Sequence, residues 1–438
     1  MAIALHRHSL RVAVVAVTFV VVFLAVRAIN GPQTDLATPL SFGSREGMLP
    51  TATTDQRIEA LQAQVRSAPS ADSYANLGLV YQQKVRESGD PSFYTKADGV
   101  LHQALRIDSE NFTATSALGS LALSRHDFRR GLALGERARS INPGVTRNLG
   151  VIVDAQIELG RYSAAERTLQ RWVDLKPELP SYARVSYYRE LHGDLPGALQ
   201  AMGLAVSAGG ESPENVGYVQ TLVGQLELES SHYAAAERAY RTALAGDPGY
   251  PAALAGLARV EAGRGDYEAA IASYQRAVQR IPLPEYVIGL GETQQAAGKM
   301  MAAQASYALV GVEAKLLRSN GVNTDVDLAL FEANHGSAAK GVVLGRRAWA
   351  EAPSVRSADA YAWALSRGGR DAAALHFSAE AMKLGSRDPS FLYHAGMIAK
   401  RAGRDESAHR YLSQLVEQSP HFNPLYGPRA QRALEALG

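Results

Sequence analysis

Residues 217–283, GYVQTLVGQLELESSHYAAAERAYRTALAGDPGYPAALAGLARVEAGRGDYEAAIASYQRAVQRIPL, repeat upon themselves. Tyr233 and Tyr267, Ala236 and Ala270, Tyr240 and Tyr274, Ala243 and Ala277, and Pro248 and Pro282 each stand thirty-four residues apart. Five coincidences at one spacing are not expected by chance, and a fixed period of this length marks stacked supersecondary units. Ala, Leu, Arg, Glu and Gln dominate the stretch and are good helix formers, so each period reads as two helices and a turn.

The register extends both ways. Pro143 and Pro177 are again thirty-four apart, with Leu118-Gly119, Phe128 and Ala138 in one unit and Tyr162 and Ala165 in the next. Gly396, Ala408 and Pro420 fit downstream. The earliest unit carries Tyr74, Leu77-Gly78 and Tyr81, then Tyr94, Ala97 and Ala104, with a turn about seven residues too long. This gives ten units, beginning near residues 71, 112, 146, 179, 217, 251, 284, 322, 355 and 389; those at 284, 322 and 355 lack several markers. Gly160, Gly193, Gly265, Gly298, Gly336, Gly369 and Gly403 recur between the helices of a pair, where a left-handed residue is expected to end the first helix. Pro143, Pro177, Pro248, Pro282, Pro353 and Pro420 close the second helix. Each pair leaves an apolar face that only a neighbouring unit can cover, so a solenoid is expected over 71–422. Ile58, Leu61 and Val65 at i, i+3 and i+7 predict an N-terminal capping helix within 55–70, and Ala430, Ala433, Leu434 and Leu437 a C-terminal one within 423–438.

These positions resemble the tetratricopeptide repeat family, over about 350 of the 438 residues. The resemblance implies an all-α, right-handed superhelical solenoid. In it Gly78, Gly119, Gly224 or Gly396 lets the two helices of a unit approach, and the later alanine packs on the next unit. It also implies that the first helix of each unit lines a concave, partner-binding side, projecting Asp154, Glu158, Glu190 and Ile288 there together with seven candidate groove residues: Tyr187, Tyr218, Thr221, Gln225, Arg259, Glu292 and Trp363. Tyr, Trp and Arg are the types that anchor interfaces. The family's clamp for a C-terminal carboxylate is not expected, because Ala75, Leu79, Ser116 and Ser120 stand where its lysine and asparagine would.

Ahead of the repeats, Val12 to Val26 are fifteen residues without a charge, bracketed by Arg7, Arg11 and Arg27. Leu10 through Ile29 make the twenty residues a bilayer core requires, with Arg11 and Arg27 snorkelling, so 1–29 reads as a signal anchor that reaches the membrane through 10–29. Secretion after cleavage near Ala28 is the alternative. The basic residues favour a cytoplasmic N-terminus and an extracytoplasmic repeat region. Residues 30–54, with Gly31, Pro32, Pro39, Gly43, Gly47 and Pro50, read as a flexible spacer. The expectation is thus a membrane-anchored repeat protein of bacterial type.

Lys plus Arg number 45 against 43 Asp plus Glu, which gives no drive toward nucleic acid, and no cysteine is present for disulfides, thiolate metal sites or thiol nucleophiles. No P-loop, zincin or nucleophile-elbow motif occurs. Asn323, Asp325 and Asp327 have calcium-loop spacing, but Leu328 and Asn334 stand where Gly and Glu are needed, so the segment reads as a loop entering a helix. Asn111-Phe112-Thr113 matches a glycosylation acceptor but straddles a repeat boundary. The periodic tyrosines and Trp172 read as core, and His126 and His232 as solvated turn residues. The segments 86–92 and 318–327 break the period and are the places where something specific is expected. The chain is expected to be no enzyme and to need no cofactor or metal. It reads as a protein-protein scaffold or assembly factor, holding a protein or peptide segment in its groove; an accessory subunit of an envelope enzyme or secretion complex is the alternative.

Overall fold

The computed structural model describes residues 52–209 and 213–438; the anchor expected over 1–29 and nearly all of the spacer over 30–54 lie outside them. The described residues contain helices and no strand. A first helix, α1 (Thr54–Ser67), precedes ten antiparallel pairs. These are α2 (Ala71–Ser88) with α3 (Ser92–Ile107), α4 (Phe112–Ser124) with α5 (Phe128–Ile141), α6 (Asn148–Glu158) with α7 (Tyr162–Leu175), α8 (Leu179–Leu191) with α9 (Leu195–Ala208), and α10 (Pro213–Glu229) with α11 (Tyr233–Gly246). They continue with α12 (Pro251–Gly263) and α13 (Tyr267–Arg280), α14 (Pro284–Ala296) and α15 (Met300–Ser319), α16 (Asp325–His335) and α17 (Ala338–Glu351), α18 (Val355–Arg367) and α19 (Asp371–Ala381), and α20 (Pro389–Arg401) and α21 (Asp405–Gln418). A last helix, α22 (Tyr426–Glu435), closes the array.

Local chemistry sets the boundaries. The side chains of Thr53, Ser70, Asn111, Asp127, Asp194, Asp266, Ser337, Ser354 and Asp388 each accept a backbone N–H of the first turn they precede. Asn111 is buried, and its amide also donates to Asp72 at 2.8 Å, so this side chain is committed inside the protein rather than presented as a glycosylation acceptor. The repeat alanines Ala97, Ala104, Ala165, Ala236, Ala243, Ala270, Ala277 and Ala408 are all fully buried at the helix crossings. Tyr240, 1% exposed, is gripped between Gly224 of its own unit and Gly256 of the next, where any Cβ would strike its ring.

Six of the seven turn glycines have positive φ, from 65° at Gly403 to 84° at Gly265. Gly336 does not: its φ is −130°, because only Gly336 and Ser337 separate α16 from α17 and the tighter link leaves no place for a left-handed residue. In the second and fifth units the left-handed position is held instead by His126 (φ 59°) and Ser231 (φ 56°), and His126, expected to be solvated, is buried against Asn323.

The solenoid is wound so tightly that units five or six apart come into contact. Asn323 N donates to Arg125 O at 2.9 Å and His126 Nδ1 lies 2.6 Å from Asn323 O. Arg129 donates to the carbonyls of Ala350 and Glu351. Val355 N donates to Tyr162 Oη at 2.8 Å, and Gln418 Nε2 to Glu229 O at 3.2 Å. Both non-periodic segments lie on this seam: Gly89, in the long first turn, sits against Ile281, and Asn320 accepts from Thr95. One apolar cluster accordingly unites Leu123–Ala201 with Ala329–Ala433.

Gly160 and Gly265 share a left-handed φ, but a Cβ at Gly160 would run into the Pro353 carbonyl oxygen across the seam, whereas Gly265 faces open space. Gly265→Ala is expected to cost about 1–2 kcal/mol for the backbone alone, and Gly160→Ala about 2 kcal/mol more. Urea unfolding of the two variants measures the difference; equal midpoints would show that the seam contributes nothing.

Candidate functional site

Closure turns the concave side of the solenoid into a lumen. A cavity of about 190 Å³ lies in it, walled by the first helices α10, α12, α14, α16 and α20 and by residues 422–426, which run in from the C-terminal end. Tyr240, Tyr274, Tyr286, Phe331, Tyr393, Phe422 and Tyr426 supply aromatic wall. The C-terminal strap is pinned there: Asn423 Nδ2 donates to Glu292 Oε2 at 2.7 Å, Tyr426 Oη lies 3.4 Å from His335 Nε2, and the Tyr393 and Tyr426 rings are 5.3 Å apart. Glu292 is held from a second side by His335 Nε2 at 2.9 Å.

All the candidate groove residues except Arg259 are buried, so they form an interior rather than an open groove. Thr221, Gln225, Arg259 and Glu292 line the cavity. Tyr187 and Tyr218 lie to one side of it, by a smaller void around Glu190. Tyr187 Oη donates to Glu158 at 3.2 Å, Thr221 bonds its own helix at Gly217 O, Gln225 Nε2 donates to Glu229 Oε1 at 3.1 Å, and Trp363 Nε1 donates to Asn334 Oδ1 at 2.8 Å. Beside them Arg184 grips Asp154 through two bonds of 2.8 and 2.7 Å, with both side chains buried.

The structure adds a set of carboxylates. Glu190, Glu229 and Asp388 are at least 95% buried, and each keeps one oxygen, Glu190 Oε1, Glu229 Oε2 and Asp388 Oδ2, with no hydrogen-bond partner among the described residues. Burial, and then repulsion from Glu229 and Asp388, pushes Glu190 well above the carboxylate range; burial and Asp388 do the same to Glu229. Burial, with Asp359 adding to it, raises Asp388 to about 7; burial alone dominates at Glu285, raised to about 8, and at Asp327, raised to about 6. Buried Arg356 attracts Glu158, Glu190 and Asp327. Glu229 was legible in principle, since it lies four residues after Gln225 on the same helical face. Asp388 was not: an aspartate before a proline reads as a helix cap, which it also is, through Oδ1 to the N–H groups of Ser390 and Phe391. In the calcium-like segment, Asp325 pairs with Arg347 at 2.8 Å, and among the described residues no cluster of His, Asp and Glu could hold a metal.

Residues 223–283 match a family model described as tetratricopeptide repeat. The comparison with curated proteins finds no match. Among solved structures, the chain is similar to the APC/C hetero-tetramer Cut9-Hcn1, at 12% identity over 88% of this chain and 93% of that one, with a TM-score of 0.38. It is similar to the human IFIT1 dimer with m7Gppp-AAAA at 13% identity over 75% and 78%, with a TM-score of 0.48. It is also similar to a tetratricopeptide repeat protein from Parabacteroides merdae at 16% identity over 60% and 99%, with a TM-score of 0.34. At such scores these likenesses carry no functional weight. The class that the repeat pattern and the helical pairs define is an all-α helical repeat protein, of which residues 223–283 match the tetratricopeptide repeat model. Among the described residues no helix is long and apolar enough to cross a membrane; residues 10–29 lie outside that set.

A carboxyl whose folded pKa exceeds its unfolded value binds more protons in the folded chain. Its contribution to stability is therefore complete below the unfolded pKa and is lost as the pH rises through the folded one. For Asp388 and Glu285 that window runs from about 4 to about 8. Burial lowers His126 to about 4, which works in the opposite sense up to its unfolded value near 6.5, so the carboxyls stand alone above that. Stability is expected to fall between about pH 6.5 and 8. Asp388→Asn keeps the cap, removes the charge, and is expected to flatten the slope and gain about 1–3 kcal/mol at pH 8. Urea titration across the range checks this, and an unaltered slope would place the proton elsewhere.

Proposed function

We propose that this chain is a non-catalytic scaffold or assembly factor, displayed outside the cytoplasm on an anchor formed by residues 10–29, with its units wound in the right-handed sense. A segment of a partner protein enters the lumen and is held by the face that carries Thr221, Gln225, Arg259 and Glu292, with Tyr187, Tyr218 and Trp363 fixing the walls behind it. The class supports binding, since helical repeats of this type are platforms for protein partners. The observation that carries the reading is the cavity between α10 and α20, whose lining residues combine aromatic surface with buried polar atoms that have no partner among the described residues. Arg259, the one candidate residue left half-exposed, is the point where an incoming chain is first met.

Crosslinking mass spectrometry on intact cells is expected to recover a protein joined to lumen residues. Arg259→Glu should lower its recovery about fivefold, the equivalent of about 1 kcal/mol, while Arg404→Glu at an exposed position leaves it unchanged. Equal recovery from both variants would remove the lumen as the binding face. N-terminal sequencing of the mature protein tests the anchor, which a start near Ile29 would exclude.

A further inference from the structure

Five carboxylates line the lumen cavity, Glu229, Glu285, Glu292, Asp327 and Asp388, against one arginine, Arg259. Glu292 is satisfied by Asn423 and His335. Glu229 and Asp388 are not: 3% and 1% exposed, each lines the cavity and keeps an oxygen that no donor among the described residues reaches. A buried carboxylate left in that state is costly, and protonating it only replaces a missing donor with a missing acceptor. A ligand that brought N–H donors and positive charge together would answer both defects.

The walls decide what kind of cation. No group of side chains among the described residues has metal-holding geometry, and the cavity is faced by Tyr240, Tyr274, Tyr286, Tyr393 and Phe422. Aromatic faces attract ammonium and guanidinium groups and cover aliphatic stems, and they offer nothing to a hydrated metal ion. The volume, about 190 Å³, is many times the roughly 10–15 Å³ one water requires and too small for a folded segment. We propose that the cavity is a binding site for an organic cation, an alkylammonium or alkylguanidinium group on a short aliphatic stem. Glu229 and Asp388 receive its N–H donors and the tyrosines enclose its stem. The site goes beyond the scaffold reading and stands whether or not a protein segment also enters the lumen.

Calorimetric titration of the full chain in mild detergent tests this with butylguanidinium and its uncharged isostere butylurea. Butylguanidinium is expected to bind and to raise the thermal midpoint, and butylurea to do neither. The Glu229→Gln, Asp388→Asn double variant is expected to bind butylguanidinium at least tenfold more weakly, while keeping a midpoint no lower than wild type. If that variant does not fold, Asp388→Asn alone, which retains the cap on α20, carries the test. Equal responses to the two probes, no heat from either, or undiminished affinity in the folded variant would overturn the proposal. Cadaverine and N-acetyl-argininamide distinguish the source of the cation: tighter binding of the diamine points to a free amine, and tighter binding of the blocked arginine to a side chain of a peptide. Neither outcome bears on the crosslinking result, so the two readings fail separately.

Discussion

The hydroxyl of Tyr162 accepts the backbone N–H of Val355 across 193 residues of chain, and with it the solenoid's second turn is fastened to its first. A helical repeat array is held together by nearest-neighbour faces, and its stability is ordinarily a sum of such terms. Here units six apart are also in contact, through main-chain bonds at Arg125 and Asn323 and through a common apolar cluster. That added layer of contact fixes the pitch. With the pitch fixed, the concave side cannot remain an open trough, and the polar residues on it become interior.

The seam also explains two departures from the repeat. His126 and Ser231 adopt a conformation that costs a side-chain-bearing residue about 1–2 kcal/mol, at turns where glycine serves in seven other units. Both side chains reach across the seam: His126 to the carbonyl of Asn323, and Ser231 to Ser419. Glycine would relieve the backbone and lose the contact. The two segments that interrupt the period, 86–92 and 318–327, meet the neighbouring turn as well, so their irregular length serves the junction between turns.

Charge in the lumen is a consequence of the same closure. On an open face Glu190, Glu229 and Asp388 would be solvated and unremarked. Enclosed together, they are desolvated and repel one another, and burial is the larger of the two effects at each. Arg356 and Arg259 offset part of this, and Arg184 is already spent on Asp154. Asn423 bonds Glu292 and Tyr426 lies against His335, while Glu229, Glu285 and Asp388 on the cavity wall keep oxygens without partners among the described residues.

Sequence alone determined the helices, their pairing and the repeat positions packed between them. A thirty-four-residue period in Tyr, Ala, Gly and Pro is a local signal, since each residue answers to side-chain volume or backbone freedom within one unit and its neighbour; Tyr240 between Gly224 and Gly256 is that logic made visible. The resemblance implied a common concave side for Thr221, Gln225, Arg259 and Glu292, and these four line one cavity. Whether that face was open or closed, only the tertiary structure decided. The closure depends on small rotations between units summed over six of them, and no single unit's sequence encodes that sum. For the same reason Asp388 and the Asn423–Tyr426 strap could not be read in advance: what they meet comes from units far away in the chain, brought near by the pitch.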